Sequence, residues 1–331
     1  GGGGCNQSFI TYSMYVESSA VTINNSVIQL GAGYRKLYLK NSNSTINAST
    51  ISGATLNADS VGIYVDGGSP TISNSTISNN SIGVFVNSLS NNPTIQNNTF
   101  TGNTYAVKLD SVGAILSGNT ATNNTYNGIF VEGGTQSSIT WQKDTIPYIV
   151  NTFIVSAGTT LTIQVGIVMK FINLGYTNPE LLVNGALVTQ GTQADPVVFT
   201  TTADNTVGGS NTYGGVGALS SWKRIYLAPG STGSQLTYTT LKYGGNTYYE
   251  AALYVKQSSV QVSNLTISNS VQSAIYSSLG TLSGSGVTLV SNTYGFHVEL
   301  GDCPALTSTN VTANVGPTLH PSSFPSPPCS F

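Results

Sequence analysis

Asp66, Asn87, Asp110 and Glu132 follow one another at steps of 21, 23 and 22 residues, each closing a short apolar run. If those runs stack, the four side chains form one polar ladder with neighbours about 4.8 Å apart, and Asp110 becomes the neighbour of Glu132. Two carboxylates about 5–5.5 Å apart suit retaining glycoside hydrolysis. Stacked acidic oxygens also suit calcium, the single cofactor this sequence brings into view. The plain alternative is a turn kept wet by Asp66, Asp110 and Glu132. The rest of the chain weighs against chemistry. His297 and His320 lie far from the ladder, Arg35 and Arg224 are the only arginines, and Arg224 follows Trp222 and Lys223 in a strand of structural character. No nucleophile–base set, phosphate loop or metal-spaced His or Cys cluster is visible. The expectation is a chain without catalytic or metal-binding residues, with calcium as the alternative.

The elements that must position this ladder are the runs themselves: Gly62-Ile63-Tyr64-Val65-Asp66, Gly83-Val84-Phe85-Val86-Asn87, Ala106-Val107-Lys108-Leu109-Asp110 and Gly128-Ile129-Phe130-Val131-Glu132. Each alternates, so each reads as a strand with Ile63- and Val65-type residues inward. A repeat of about 22 residues is too short for a helix plus a strand and marks a solenoid. Between the runs lie paired short strands such as Pro70-Thr71-Ile72-Ser73-Asn74 followed by Ser75-Thr76-Ile77. Three strands per coil, punctuated by Asn and Gly, predict an all-β, right-handed parallel β-helix.

Alternation also predicts an outward column: Tyr64, Phe85, Lys108, Phe130 and, further along, Tyr254, Tyr276 and His297. Regular outward aromatics at Tyr64, Phe85, Phe130, Tyr254 and Tyr276 suggest a contact surface for sugar rings or a neighbouring subunit. They also stabilise their own ladder.

Residues 1–138 read as short coils, 139–245 as longer coils interrupted by a Gly-rich loop at 204–221, and 246–303 as short coils again. Together 1–303 form one elongated unit, followed by a Pro-rich tail at 304–331. The run from Thr159 to Phe171, the segments Leu182–Leu187, Gly191–Thr200 and Trp222–Tyr226, and the stretch Leu236–Gly245 resemble a repeat of large secreted microbial surface proteins. The flanking short coils resemble the pectin-lyase-like superfamily of right-handed parallel β-helices. That resemblance covers about residues 20 to 300. It implies the fold, and it leaves activity open, because the superfamily holds lyases, hydrolases, adhesins and structural proteins alike.

Only 7% of the 331 residues are charged and the net charge is −2, against about 25% charged in an ordinary soluble domain. Nucleic-acid binding has no electrostatic basis here. A surface kept wet by hydroxyls and amides behaves alike at any pH, which points to an extracellular or cell-surface setting, acidic or hot. No signal peptide or membrane span is visible, and Gly1-Gly2-Gly3-Gly4-Cys5 makes a poor lipidation site. Cys303 and Cys329 bracket the Pro-rich tail and are the expected disulfide, leaving Cys5 single or paired between chains. Ten N-glycosylation sequons occur, at Asn6, Asn24, Asn43, Asn47, Asn74, Asn79, Asn97, Asn123, Asn264 and Asn310. Their number is what chance gives in so Asn-, Ser- and Thr-rich a chain, yet N-glycans remain expected partners for a secreted protein.

Without a visible helical cap at either end, such a solenoid is expected to self-associate. Three functions follow: a non-catalytic subunit of a surface filament, appendage or layer; an adhesin or carbohydrate-binding module; or a polysaccharide lyase or hydrolase.

Overall fold

The apolar positions of successive runs fall into register. Leu37, Ile63, Val84, Val107 and Ile129 form one inward column, and Leu39, Val65, Val86, Leu109 and Val131 form a second. Every one of these side chains is fully buried. Their burial is what the stacking of coils supplies, since no single coil can cover its own apolar face. A computed structural model of the chain describes residues 12–30, 35–53, 60–87, 92–111, 113–174, 179–209, 222–245, 251–301, 303–319 and 324–325. Among them there are only strands and turns, wound into a right-handed parallel β-helix of about 11 turns. Among the described residues no helix is long and apolar enough to cross a membrane.

Four parallel sheets line the solenoid. The first runs its whole length, from Tyr12–Glu17 to Ala305–Thr312. The second, Thr22–Asn24 to Ile115–Ser117, and the third, Val27–Leu30 to Thr120–Thr122, have five strands each. Both end in the middle of the molecule. The fourth begins at Phe153–Val155, beside a bridge from Gly134 to Ile154, and carries Glu180–Val183, Arg224–Leu227, Ala251–Lys256, Ser273–Ser278 and Tyr294–Gly301. It closes with Phe324–Pro325.

Turns between strands use left-handed residues, which asparagine and glycine tolerate. One column comprises Asn25, Ala48, Asn74, Asn97 and Gly118, all at φ between 48° and 64°. At Gly118 an added Cβ would collide with Oδ1 of Asn97 on the preceding rung, and Gly102 stands in the same relation to Asn79. Behind the turns, buried amides form ladders. The Asn103 side chain donates to Oδ1 of Asn124 (2.9 Å) and to the Ile77 carbonyl (3.0 Å), and accepts from the Asn80 backbone N–H (3.0 Å). In this way polar side chains satisfy backbone groups that the coil corners leave unpaired.

In the later coils the second-sheet and third-sheet type strands fuse. Ser234–Lys242, Ser259–Ser268, Thr281–Val290 and Ala305–Thr312 are single long strands bent at Tyr238, Asn264, Gly286 and Ser308, again left-handed. Their second halves stack on the first sheet, through Thr239 to Leu241 against Val197 to Phe199.

Candidate functional site

The acidic ladder lies where the spacing puts it. Lys40 is in register with Asp66 and Asp110 with Glu132, at the end of the first-sheet strands. Three of its carboxylates, Glu17, Asp66 and Glu132, are engaged by neighbours on adjacent rungs, and Asp110 by its own neighbour in sequence. Glu17 pairs with Lys40 at 2.8 Å and Glu132 with Lys108 at 2.9 Å. Asp66 accepts from the Tyr38 hydroxyl and, at 2.7 Å, from the Asn87 amide. Asp110 accepts from the Ser111 hydroxyl at 3.3 Å. Burial of Tyr38, reinforced by the Asp66 carboxylate, pushes its phenol up to about 12. Among the described residues no group of three or more His, Cys, Asp or Glu could hold a metal ion.

The predicted aromatic column is two columns. Tyr15, Tyr38, Tyr64 and Phe85 stand edge to face on the first sheet with centroids 4.9–5.1 Å apart. The Arg35 guanidinium lies 3.6 Å from the Tyr64 ring centre and 4.6 Å from that of Tyr38. In register, this column continues through Lys108 and Phe130 to Ile149, Lys170 and Thr200. Tyr254, Tyr276 and His297 belong instead to the fourth sheet, following Tyr226. The reason is topological: the third sheet has its last strand at Thr120–Thr122 and a fourth sheet opens at Phe153–Val155, so the same strand motif resumes on another side.

Exposure also departs from expectation. Tyr64, Phe85 and Tyr254 are half-buried, whereas Tyr276 is 3% exposed and Phe130 fully buried. Phe130 points outward, but Tyr126, Ile149 and Ile172 form a small apolar cluster with it, with Tyr105 packed alongside. His297 sits against Tyr276 at 4.4 Å, and His320 lies outside the described residues.

One cluster is absent from the sequence reading. Lys170, outward on the first sheet, is wholly buried and donates to the carbonyls of Asp204 (2.9 Å) and Gly209 (2.6 Å). Asp204 takes Lys242 at 2.8 Å, Thr200 at 2.8 Å, and both the N–H and hydroxyl of Thr206. The segment 204–209 at the root of the Gly-rich loop is thereby clasped against the sheet, while residues 210–221 lie outside the described residues. Burial lowers the Lys170 ammonium to about 8, with Asp204 opposing the shift. Burial alone would raise Asp204; the bonds from Lys242, Thr206 and Thr200 outweigh it and hold the carboxyl at about 2. Lys170 between Met169 and Phe171 was the available hint, a lone cation in an apolar strand.

Trp222 is structural, buried flat against Phe171 at 4.3 Å with its N–H on the Lys242 carbonyl. Cys303 is disulfide-bonded; Cys329 and Cys5 lie outside the described residues, as does Asn6. Of the other sequon asparagines, Asn47 is half-buried and Asn24, Asn43, Asn74, Asn79, Asn97, Asn123, Asn264 and Asn310 are exposed. The coil explains several of them. Asn74, Asn97 and Asn264 occupy left-handed turns two residues before the threonines Thr76, Thr99 and Thr266 that open the next strand segment.

Residues 4–146 match the family model of the right handed beta helix region. Comparison with curated proteins and with solved structures gave no match. The register described above carries the same winding well past residue 146: the chain has the right-handed parallel β-helix fold.

Proposed function

We propose that the protein is a non-catalytic extracellular structural protein, a subunit of a cell-surface filament, appendage or surface layer. The observation that carries this reading is the use made of the outward polar groups. Glu17, Asp66 and Glu132 are spent on joining one rung to the next, through Lys40, Tyr38, Asn87 and Lys108. An acid–base pair for sugar chemistry needs two carboxyls open to substrate; these carboxyls tie coils together. The near-absence of charge fits a surface that meets copies of itself without repulsion. Self-association is the expected partner relation, with N-glycans as covalent decoration. Electron microscopy of native material with intact mass tests it: filaments or lattices are expected, and dispersed single rods without sugars would end the proposal.

A second reading, an adhesin or carbohydrate-binding solenoid, is favoured by one feature. Half-buried Tyr38, Tyr64 and Phe85, with Arg35 stacked over the first two, present rings and a cation along one face. Binding of the monomer on a glycan array, lost in Tyr64→Ala, would favour it. The third reading, a polysaccharide lyase or hydrolase, requires Asp110 and Glu132; cleavage lost in Asp110→Asn and Glu132→Gln would establish it.

A further inference from the structure

Asparagine, glycine, serine and one alanine fill the other left-handed bends of this kind, residues that are small or tolerate such a backbone. Tyr238 is the exception, an aromatic held at φ 41°. A bulky side chain in that conformation is strained, and strain of this kind collects where a side chain is needed in one place. The rung before it also departs from the pattern. Tyr238 alone bridges Thr237 and Thr239, whereas residues 191–196 stand between their partners Gln190 and Val197. That longer connection is a turn in which the Thr192 and Asp195 N–H groups each donate to the other's carbonyl at 3.2 Å. Gly191 passes so close to the Tyr238 carbonyl that a Cβ there would strike it.

This turn and the bends beside it enclose a groove of about 280 Å³. Thr192 and Pro196 belong to its wall, and Tyr238, Asn264 and Gly286 are successive bends along it. Thr240, Thr266 and Thr288, two residues past each bend and in register, set a half-buried hydroxyl on every rung, about 4.8 Å apart. At Gly286 the bend has no side chain, and a Cβ there would press on Asn264 Oδ1, so the floor stays open beside that amide. Among the described residues no charged side chain lines the groove. Hydroxyls and amides beside one aromatic face suit a neutral sugar: the ring receives the C–H face of a pyranose, and the threonines exchange hydrogen bonds with its hydroxyls. The groove also holds an attachment point. Asn264-Leu265-Thr266 is a sequon, Asn264 is exposed, and its amide nitrogen donates to Ser263 Oγ at 3.2 Å. One N–H can keep that bond when the other is replaced by a sugar. On an earlier rung the sequon amide runs along a ladder instead, Asn74 donating to Asn47 at 2.7 Å and Asn47 to Asn24 at 2.9 Å.

We propose that this groove is a seat for a neutral saccharide, filled by the first sugars of an N-glycan on Asn264 or by a stretch of a separate neutral polysaccharide. The sugar ring lies on Tyr238 and its hydroxyls bond to Thr240 and Thr288, and that contact offsets the strain of the tyrosine bend. A glycan on Asn264 is then packed against the coils, unlike one projecting from an open turn. The seat rests on the extracellular reading for its supply of sugar and gives that reading a defined site. It is separate from the ring column around Tyr64, which lies on the first sheet of the earlier coils.

The test uses the native protein and the full chain made without glycosylation. Glycopeptide mass spectrometry of the native protein is expected to find sugar on Asn264. An amidase that removes N-glycans is expected to release it slowly from the folded chain and about tenfold faster from folded Tyr238→Gly. That variant removes the ring and relieves the backbone, so the coils keep their fold, which circular dichroism verifies. Where Asn264 is bare in the native protein, the chain is expected to bind cellohexaose or N,N′-diacetylchitobiose in preference to oligogalacturonate. Tyr238→Gly is then expected to weaken that binding about tenfold, and the saccharide is a separate one. Release from the folded parent as fast as from Tyr238→Gly overturns the inference. So does a bare Asn264 in a chain that binds neither neutral probe, binds oligogalacturonate more tightly, or binds equally well without the Tyr238 ring. Sugars on other sequons together with any of those results leave the extracellular reading standing and remove only this seat.

Discussion

The coils before residue 133 and those after it solve one problem with different means. Both must hide the backbone polar groups at the corners of a stack. The earlier coils use three short strands and buried side-chain ladders: Asn80–Asn103–Asn124 at one corner and Ser75–Asn98–Asn119–Asp144 at another. From Ser234–Lys242 onward the later coils fuse two strands into one bent strand, and their described residues keep one such ladder, Ser270–Asn292–Asn314. In the earlier half the turn Asn79-Asn80 leads into the first sheet; in the later half Asn269-Ser270 leads into the fourth. The corner device is the same and the face it serves has moved by one. A coil motif therefore sets how its own residues point, while the path of the chain between motifs sets which sheet they join.

The clasp lies within the later coils, tying Val168–Phe171 and Ser234–Lys242 together through Asp204, and breaking it should produce the largest effect. Asp204→Ala strands Lys242 and removes an acceptor for Thr200; losing one partner of a buried pair costs about 3–5 kcal/mol. Denaturant unfolding followed by hydrogen exchange should show the loss centred on residues 168–242, with the earlier coils keeping their protection. A uniform loss would mean that the two halves unfold as one unit.

The amide ladder sharpens the contrast from the other side. Asn103→Ala orphans the Asn80 N–H and the Ile77 carbonyl, at about 1–3 kcal/mol, and thermal unfolding should place the damage before residue 133. Gly118→Ala forces a left-handed alanine against Asn97, worth about 1–2 kcal/mol; Asn97→Gly in the same chain should relieve the collision and leave the backbone cost.

pH separates the halves more gently. Asp204 has its folded value below its unfolded one, so its contribution is full above about 3.8 and is lost as pH falls toward about 2. Lys170 gives the same sign in an alkaline window: between about 8 and 10.5 the unfolded chain holds a proton the folded one has shed, so stability rises with pH there too. Tyr38, held near 12, makes the earlier half lose stability between 10 and 12. Melting curves with exchange read-out across these windows would check all three. The smallest effect is expected at the solvent-exposed Glu17–Lys40 pair, where Lys40→Ala should cost under about 1 kcal/mol and the loss should shrink with added salt.

The sequence by itself determined the rung. Alternation put Ile63 and Val65 inside, the spacing brought Asp110 beside Glu132, and asparagine marked the corners, because strand periodicity and left-handed tolerance are properties of a few adjacent residues. It also offered His297 and Tyr254 as continuations of the Tyr64 column, and there it misled. The tertiary structure alone decided that a fourth face opens after residue 133, that Ile149 and Ile172 close over Phe130, and that the root of the Gly-rich loop returns to cover Lys170. Those outcomes depend on where an aperiodic connection lands and what it buries, a matter of distant groups meeting, and no local pattern encodes it.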